Sequence, residues 1–434
     1  MQAKGSRAYL ALGFEDNREN EAPIGSGVLH LLPFVNSSLK SSQNMIDSSV
    51  IRLSRNASAP SRGNIEVSGS MTIPMDQRNL GYLLRAMFGR PLTTLTTMPA
   101  TLFGGRGVTV YFDQWQRILA GSLQIKVDSA SPIDVTGIDL SAVTTFAEIA
   151  QVLQSAIQAE IPGIIVKWDD KFHRFMIQSP TAAKLHALTL AATGQALAPM
   201  LKMTSTEGAI AKEAGPLYTH VFKVQDEQPS LCFEQGFADI KSYHLFTGCK
   251  VQKFSFSSQG DSELTASLEI LGSKESLSTA PYDPSPLAPL KESPFGNFQA
   301  FITKDGDVLG NATQVDVEVD YDLDGDTTTL SSGGYRTGIN EGIVKPSGKI
   351  ICFFENQEMI AAAIEGQKSS LSVSYAQGPH ALVFEMPEVE FERNTPGIDG
   401  PKGIRLEMGY KAYYDENPDE TAIKVTLVND VASY

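Results

Sequence analysis

The chain has 434 residues, 42% of them hydrophobic and 20% charged, which excludes a disordered polymer and suits two or three domains with sizeable cores. Asp and Glu number 50 against 35 Lys and Arg, for a net charge of −15 and a pI near 4.9. So acidic a protein lacks the basic footprint with which phosphate is gripped, so tight sequence-independent binding of nucleic acid is excluded, although an acidic wall can face a polyanion without holding it.

At the start of the chain, MQAKGSRAYLALGFEDN lacks the apolar core of a signal peptide. No apolar run further on reaches the length of a membrane span. The expectation is a protein kept in a cytoplasm until it is assembled, with no membrane partner. Ile65 to Ile73 reads as a strand passing a glycine, and Asn79 to Phe88 as a short amphipathic helix. Gly104-Gly105-Arg106-Gly107 and residues 204–216 bracket a segment of different character. Inside it lie a strand, a helix from Thr144 to Ala159 with Phe146, Ile149, Ala150, Leu153 and Ile157 at helical spacing, and a hairpin-like pair around Trp168 to Lys171. Thr144 or Thr145 is placed to cap that helix, with Glu148 in its first turn. Residues 105–212 are therefore expected to be an inserted α+β domain.

Beyond the insert, Val251 to Phe256 and Leu264 to Leu271 alternate around the turn Gln259-Gly260-Asp261, which predicts a long antiparallel hairpin. Residues 278–296, STAPYDPSPLAPLKESPFG, read as a linker. In VDVEVDY, Val315, Val317, Val319 and Tyr321 fall on one strand face and Asp316, Glu318, Asp320 and Asp322 on the other. A short helix is expected from Gln357 to Ile364. Val389 and Phe391 alternate with Glu388, Glu390 and Glu392. Ile404 to Tyr414 and Ala422 to Val428 predict a last hairpin around Asp415 to Pro418. The domains expected are thus 1–104 and 213–277 as two parts of one β domain, 105–212 as the insert, 278–296 as a linker and 297–434 as a second β domain. With the insert removed, the order of elements repeats, which suggests an internal duplication.

Little catalytic chemistry is legible. The histidines are scattered, and no HExxH, GxSxG, Walker loop or dinucleotide fingerprint occurs. Asp320, Asp322, Asp324 and Gly325 resemble half of a calcium loop, but Ser331 stands where the bidentate Glu belongs, so an acidic hairpin turn is the better reading. Cys232, Cys249 and Cys352 form no CxxC pair and read as buried free thiols, with a single bridge as the alternative. No enzyme, cofactor or metal is expected.

Three segments together resemble phage tail tube proteins: residues 64–89 as strand and helix, residues 246–272 as a glycine followed by a long hairpin, and residues 400–429 as a closing hairpin. The insert, through residues 139–157 and 166–179, is similar to a small module of other phage tail proteins. The resemblance implies a mainly β fold with an α+β insert: two tail-tube-type β-sandwich or barrel domains, each with a short flanking helix. It also implies a structural virion protein, made in the host cytoplasm, whose hairpins pair between copies into a large barrel. Tandem tube domains imply a trimeric ring with pseudo-sixfold symmetry, whereas a single one implies a hexamer. Expected partners are further copies, stacked as rings, and other tail proteins, with phage DNA passing through unbound. A single-ring adaptor or distal-tail protein, or a glycan-binding module built on Trp168, Phe172, His173 and Phe175, are the alternatives.

Candidate lumen-facing residues follow from the alternation. Ser255, Ser257, Glu263, Glu269, Glu407 and Asp415 lie on the two predicted hairpins. Asp316, Glu318 and Asp320, and Glu388, Glu390 and Glu392, form two further acidic stripes. The N-terminal arm (1–20), the linker and the loop 325–342 are expected to mediate stacking.

Overall fold

The computed structural model describes residues 2–15, 21–51, 55–398 and 400–434. Its main feature is a long antiparallel sheet built from eight strands: β1 (Lys40–Ile46), β2 (Ser61–Pro74), β3 (Ser242–Gln259), β4 (Thr265–Gly272), β5 (Ala312–Asp320), β6 (Lys345–Phe353), β7 (His380–Phe391) and β8 (Arg405–Ala412). They run in the order β1-β2-β4-β3-β5-β6-β8-β7. The first four precede the proline-rich segment and the last four follow it. The joint between the halves is the pairing of β3 with β5, where Lys253 faces Asp320 and Gln259 faces Gln314.

Alternation makes one face of this sheet apolar. Val67, Met71 and Ile73 on β2, Phe254 and Phe256 on β3, Val315, Val317 and Val319 on β5, and Leu406, Met408 and Tyr410 on β8 are all buried. They pack against a second layer of strands and against helix α1 (Leu80–Phe88) in a single core. Rings from the two halves interleave there: Phe256 lies 4.9 Å from Phe384 and 6.2 Å from Tyr375, centroid to centroid.

The strand pairings recur. Ala8–Phe14 pairs with Leu231–Phe237, as Ala300–Lys304 pairs with Ser369–Gln377. Leu231–Phe237 pairs with the first part of β3, as Ser369–Gln377 pairs with β7. Each of these pairings contains a one-residue register shift at the same place, between Leu231 and Phe233 and between Ser369 and Leu371. β1-β2-β4-β3 corresponds to β5-β6-β8-β7 strand by strand, and α1 corresponds to helix α3 (Glu358–Glu365). Gly69 and Gly348 occupy equivalent positions in β2 and β6. A Cβ on Gly69 would stand 2.5 Å from the Leu39 backbone, and one on Gly348 would stand 2.0 Å from Asp316 O. Glycine recurs there because a neighbouring chain passes too close for any side chain.

Residues 100–212 form a separate core around Trp115, Phe175 and helix α2 (Phe146–Glu160). α2 begins at the expected capping box, in which Thr145 Oγ1 accepts from Glu148 N and Glu148 Oε2 accepts from Thr145 N. One sheet of this unit runs Ile165–Asp169, Arg174–Ser179, Ala100–Phe103, Ile210–Lys212. Strand Ala100–Phe103 thus pairs inside the insert, a few residues ahead of the expected boundary. Arg174 is buried, pairs with Asp169 at 3.2 Å and donates to Gly378 O at 2.6 Å, while Lys171 meets Glu385 at 3.0 Å. The insert therefore docks on the second half, although its sequence interrupts the first.

Other expectations are corrected. Ile404–Val428 is no hairpin: Lys424–Asn429 pairs with the first part of β7 and with Gly215–Lys223, in the second layer. The loop between β8 and this strand crosses from one layer to the other, which alternation alone does not reveal. The N-terminal arm is not free, because Ala8–Phe14 is a paired and largely buried strand, its run Leu10-Ala11-Leu12 being enclosed on both faces; Met1 and residues 16–20 lie outside the described residues. The linker is tied down by Asp283, whose carboxylate accepts from Gly27 N, Val28 N and Leu29 N. Within the loop 325–342, Arg336 donates to Gly325 O, Val67 O and Gly272 O and folds the loop back on β2.

Candidate functional site

The opposite face of the long sheet carries polar side chains. One register row runs Thr72, Ser267, Ser255, Glu318, Ser347, Lys411, Glu390 across seven strands. A neighbouring row runs Ser70, Glu269, Lys253, Asp320, Lys345. Ser257, Asp316 and Lys349 stand side by side in a third. Ser255, Ser257, Glu269, Asp316, Glu318, Asp320, Glu390, Glu392 and Glu407, read from separate segments, therefore meet on a single surface. All but Glu392, which lies just past the end of β7, sit on strand positions that alternate with buried neighbours.

The surface is less acidic than the stripes suggest. Lys253 lies 2.7 Å from Glu318, Lys349 lies 3.1 Å from Glu407 and 3.8 Å from Asp316, and Lys411 lies 3.5 Å from Glu392. Ser257 Oγ and Gln314 Nε2 both donate to Asp316 Oδ1, at 2.6 and 2.9 Å. The hydrogen bond to Glu318 holds the Lys253 ammonium above its usual pKa. These lysines were legible by the same alternation, but a search for carboxylates alone passes over them. Partly exposed pairs of this kind add little stability, on the order of 0–1 kcal/mol each. Their effect is to hold the wall hydrophilic with fixed, locally balanced charge.

Three expected residues do not join the face. Glu263 is exposed in the bend between β3 and β4, bridged to Gly296. Glu388 has the parity of Glu390 and Glu392 but is 1% exposed. The chain after β8 folds over it, so that Asp415 N and Asn417 Nδ2 donate to its Oε2, while Lys368 pairs with Oε1. Burial works to raise its pKa, but these three donors outweigh burial and hold the carboxyl below the ordinary range. Asp415 is exposed in that covering loop, beyond the end of β8.

The remaining chemistry-bearing residues are structural. All three cysteines are free and buried; burial pushes the Cys232 thiol up to about 12. Asp320 and Asp324 each accept a hydrogen bond from the backbone two residues on, which shapes the acidic loop after β5. Trp168 and Phe175 pack with Phe146 in the insert's own core, and His173 stacks on Phe301 of the second half. Among the described residues, no helix is long and apolar enough to cross a membrane.

The arrangement is a broad polar wall backed by a continuous apolar core, with an edge strand at either end. A search of curated proteins finds no match. The family described as phage tail tube protein matches residues 5–412, a span that takes in both halves of the sheet and the insert. The chain belongs to the phage tail tube protein family, whose members are structural components of the virion.

Proposed function

We propose that this chain is the major subunit of a tail tube, in which three copies close into a ring of pseudo-sixfold symmetry, rings stack, and DNA passes along the polar wall. The recurrence of one pairing pattern in both halves supports two tube domains per chain. Three copies of the long sheet would make a barrel of roughly 24 strands. At ~4.8 Å between strands and a tilt of ~35–45°, its backbone diameter is roughly 45–52 Å. That is wide enough for a hydrated duplex, whereas six copies would roughly double it. Closure also pairs the two sheet edges, which are otherwise a liability for aggregation. The insert docks on the second layer, away from the polar wall, and so sits outside the tube.

In this reading Ser255, Ser257, Glu269, Asp316, Glu318, Asp320, Glu390, Glu392 and Glu407 line the channel. Carboxylates held beside Lys253, Lys349 and Lys411 let phosphate slide, because these cations are already paired and offer little for counterion release. Replacing Asp316, Glu318 and Glu407 together by Lys is expected to slow DNA ejection from otherwise normal particles by tenfold or more at low salt; unchanged ejection kinetics contradict a luminal placement.

Native mass spectrometry of the smallest purified ring tests the stoichiometry. From a chain of 46.9 kDa, a ring of about 141 kDa supports three copies and one of about 281 kDa supports six. Rings that never stack would favour the single-ring adaptor.

A further inference from the structure

The recurrence of the pairing pattern specifies more than a ring. It aligns the two halves residue by residue, and the alignment predicts which atoms meet between copies. β2 and β6 correspond with Gly69 on Gly348, and β4 and β8 with Leu268 on Met408. Carried through the pairings of β1 with β2 and of β5 with β6, Lys40 corresponds to Glu318 and Ser42 to Asp320. Carried through those of β3 with β4 and of β7 with β8, Val251 corresponds to Phe391. The next residue in register, Lys253, corresponds to Glu392, whose N–H continues the ladder by donating to Gly409 O at 2.8 Å.

Inside the chain, Lys253 and Glu318 form the ion pair that crosses the joint of β3 with β5. The positions equivalent to them are Glu392 and Lys40. The same pair is present with its polarity exchanged, split between the two ends of the sheet. Lys40 and Glu392 are exposed on the polar face, β1 pairs on this sheet with β2 alone among the described residues, and Glu392 lies just past the end of β7.

We infer that the segment 392–395 of one copy adds as a strand to β1 of the next, in the register of the internal joint. Glu392 then stands opposite Ser42 and pairs diagonally with Lys40, as Lys253 stands opposite Asp320 and pairs with Glu318. The inference rests on the ring reading above. Exchanged polarity also guards the assembly. A β1 strand that invaded the internal joint would bring Lys40 against Lys253, and a joint between two second halves would bring Glu392 against Glu318, so both wrong pairings are repulsive.

The test uses the full-length protein. Lys40→Glu and Glu392→Lys are made singly and together, and ring formation is measured by analytical ultracentrifugation at low and high salt. Each single variant is expected to weaken a joint roughly fivefold, and a ring of three joints roughly a hundredfold, with partial recovery in high salt. The double variant is expected to restore rings. In parallel, Ser42→Cys combined with Glu392→Cys places thiols at directly opposed positions, where the Cα spacing of an antiparallel pair suits a disulfide. Oxidised rings should then run as covalent trimers. If wild-type rings form but neither single reversal affects them and no cross-link appears, the register is wrong while the ring reading stands. If the wild-type protein forms no ring under any condition, the ring reading itself fails.

Discussion

The two halves of the long sheet share a pairing pattern but differ in dress. The polar face of the first half is mostly Ser and Thr on β2, β3 and β4, whereas the second half carries the acidic stripes and their lysines on β5, β6 and β8. The core faces are alike at most equivalent positions, with Leu39 matching Val317, Met71 matching Ile350, Leu268 matching Met408 and Ile270 matching Tyr410, while Ser41 against Val319 and Ile73 against Cys352 differ. The backbone pattern and the core thus answer to one set of constraints, and the exposed face is free to diverge. The comparison also shows how the first half tolerates a hundred-residue insert: the interruption falls after α1, between strands of the second layer, and leaves β1 to β4 intact.

The sharpest way to break the comparison is to ask whether the halves unfold separately. Phe384 packs on both Phe254 and Phe256 across the joint. Phe384→Ala is expected to cost about 3–5 kcal/mol and to shift the unfolding of both halves together. Calorimetry that showed only one of two transitions moving would make them independent domains. Next in size are the paired glycines. Gly69→Ala and Gly348→Ala should each cost about 1–3 kcal/mol, because each puts a methyl into a neighbouring backbone. If one is neutral, the structural equivalence of β2 and β6 is overstated.

A smaller contrast concerns pH. Glu388 in the second half corresponds to Gly248 in the first, where the buried carboxylate comes instead from Glu15, which accepts from Gly248 N. The folded pKa of Glu388 is depressed by Lys368, Asn417 and Asp415 N against the effect of burial. The stabilisation is therefore present above the ordinary carboxylate range and is lost as pH falls through the depressed value. Glu388→Gln should flatten the acid limb of the stability curve, and an unchanged limb would remove Glu388 from the account. Smallest of all, Lys349→Ala should change stability by about 0–1 kcal/mol, since its pairs with Glu407 and Asp316 are partly exposed.

Local pattern carried much of this into the sequence. The capped helix at Thr145, the two short helices and the hairpin of β3 with β4 stand where spacing placed them, because each is specified by residues close in the chain. Nine of the twelve expected wall residues share a face for the same reason, a strict period of two. What was not legible depends on contacts between distant segments. The covering of Glu388 depends on a loop some thirty residues on, and the return of Lys424–Asn429 to β7 depends on a change of layer. The joint of β3 with β5 has no local signal at all. Asp283 and Arg336 look like ordinary charged loop residues until their backbone partners are seen.

The internal joint is held to be the pattern for the joint between copies. Electron cryo-microscopy of the assembled tube, at a resolution that separates strands, tests this most directly. The account predicts a continuous barrel of three chains, with residues 392–395 of each beside Lys40 to Ser42 of the next and the polar face turned inward. A tube in which β1 stays unpaired, or in which the wall bearing Glu318 and Lys349 faces outward, would contradict it.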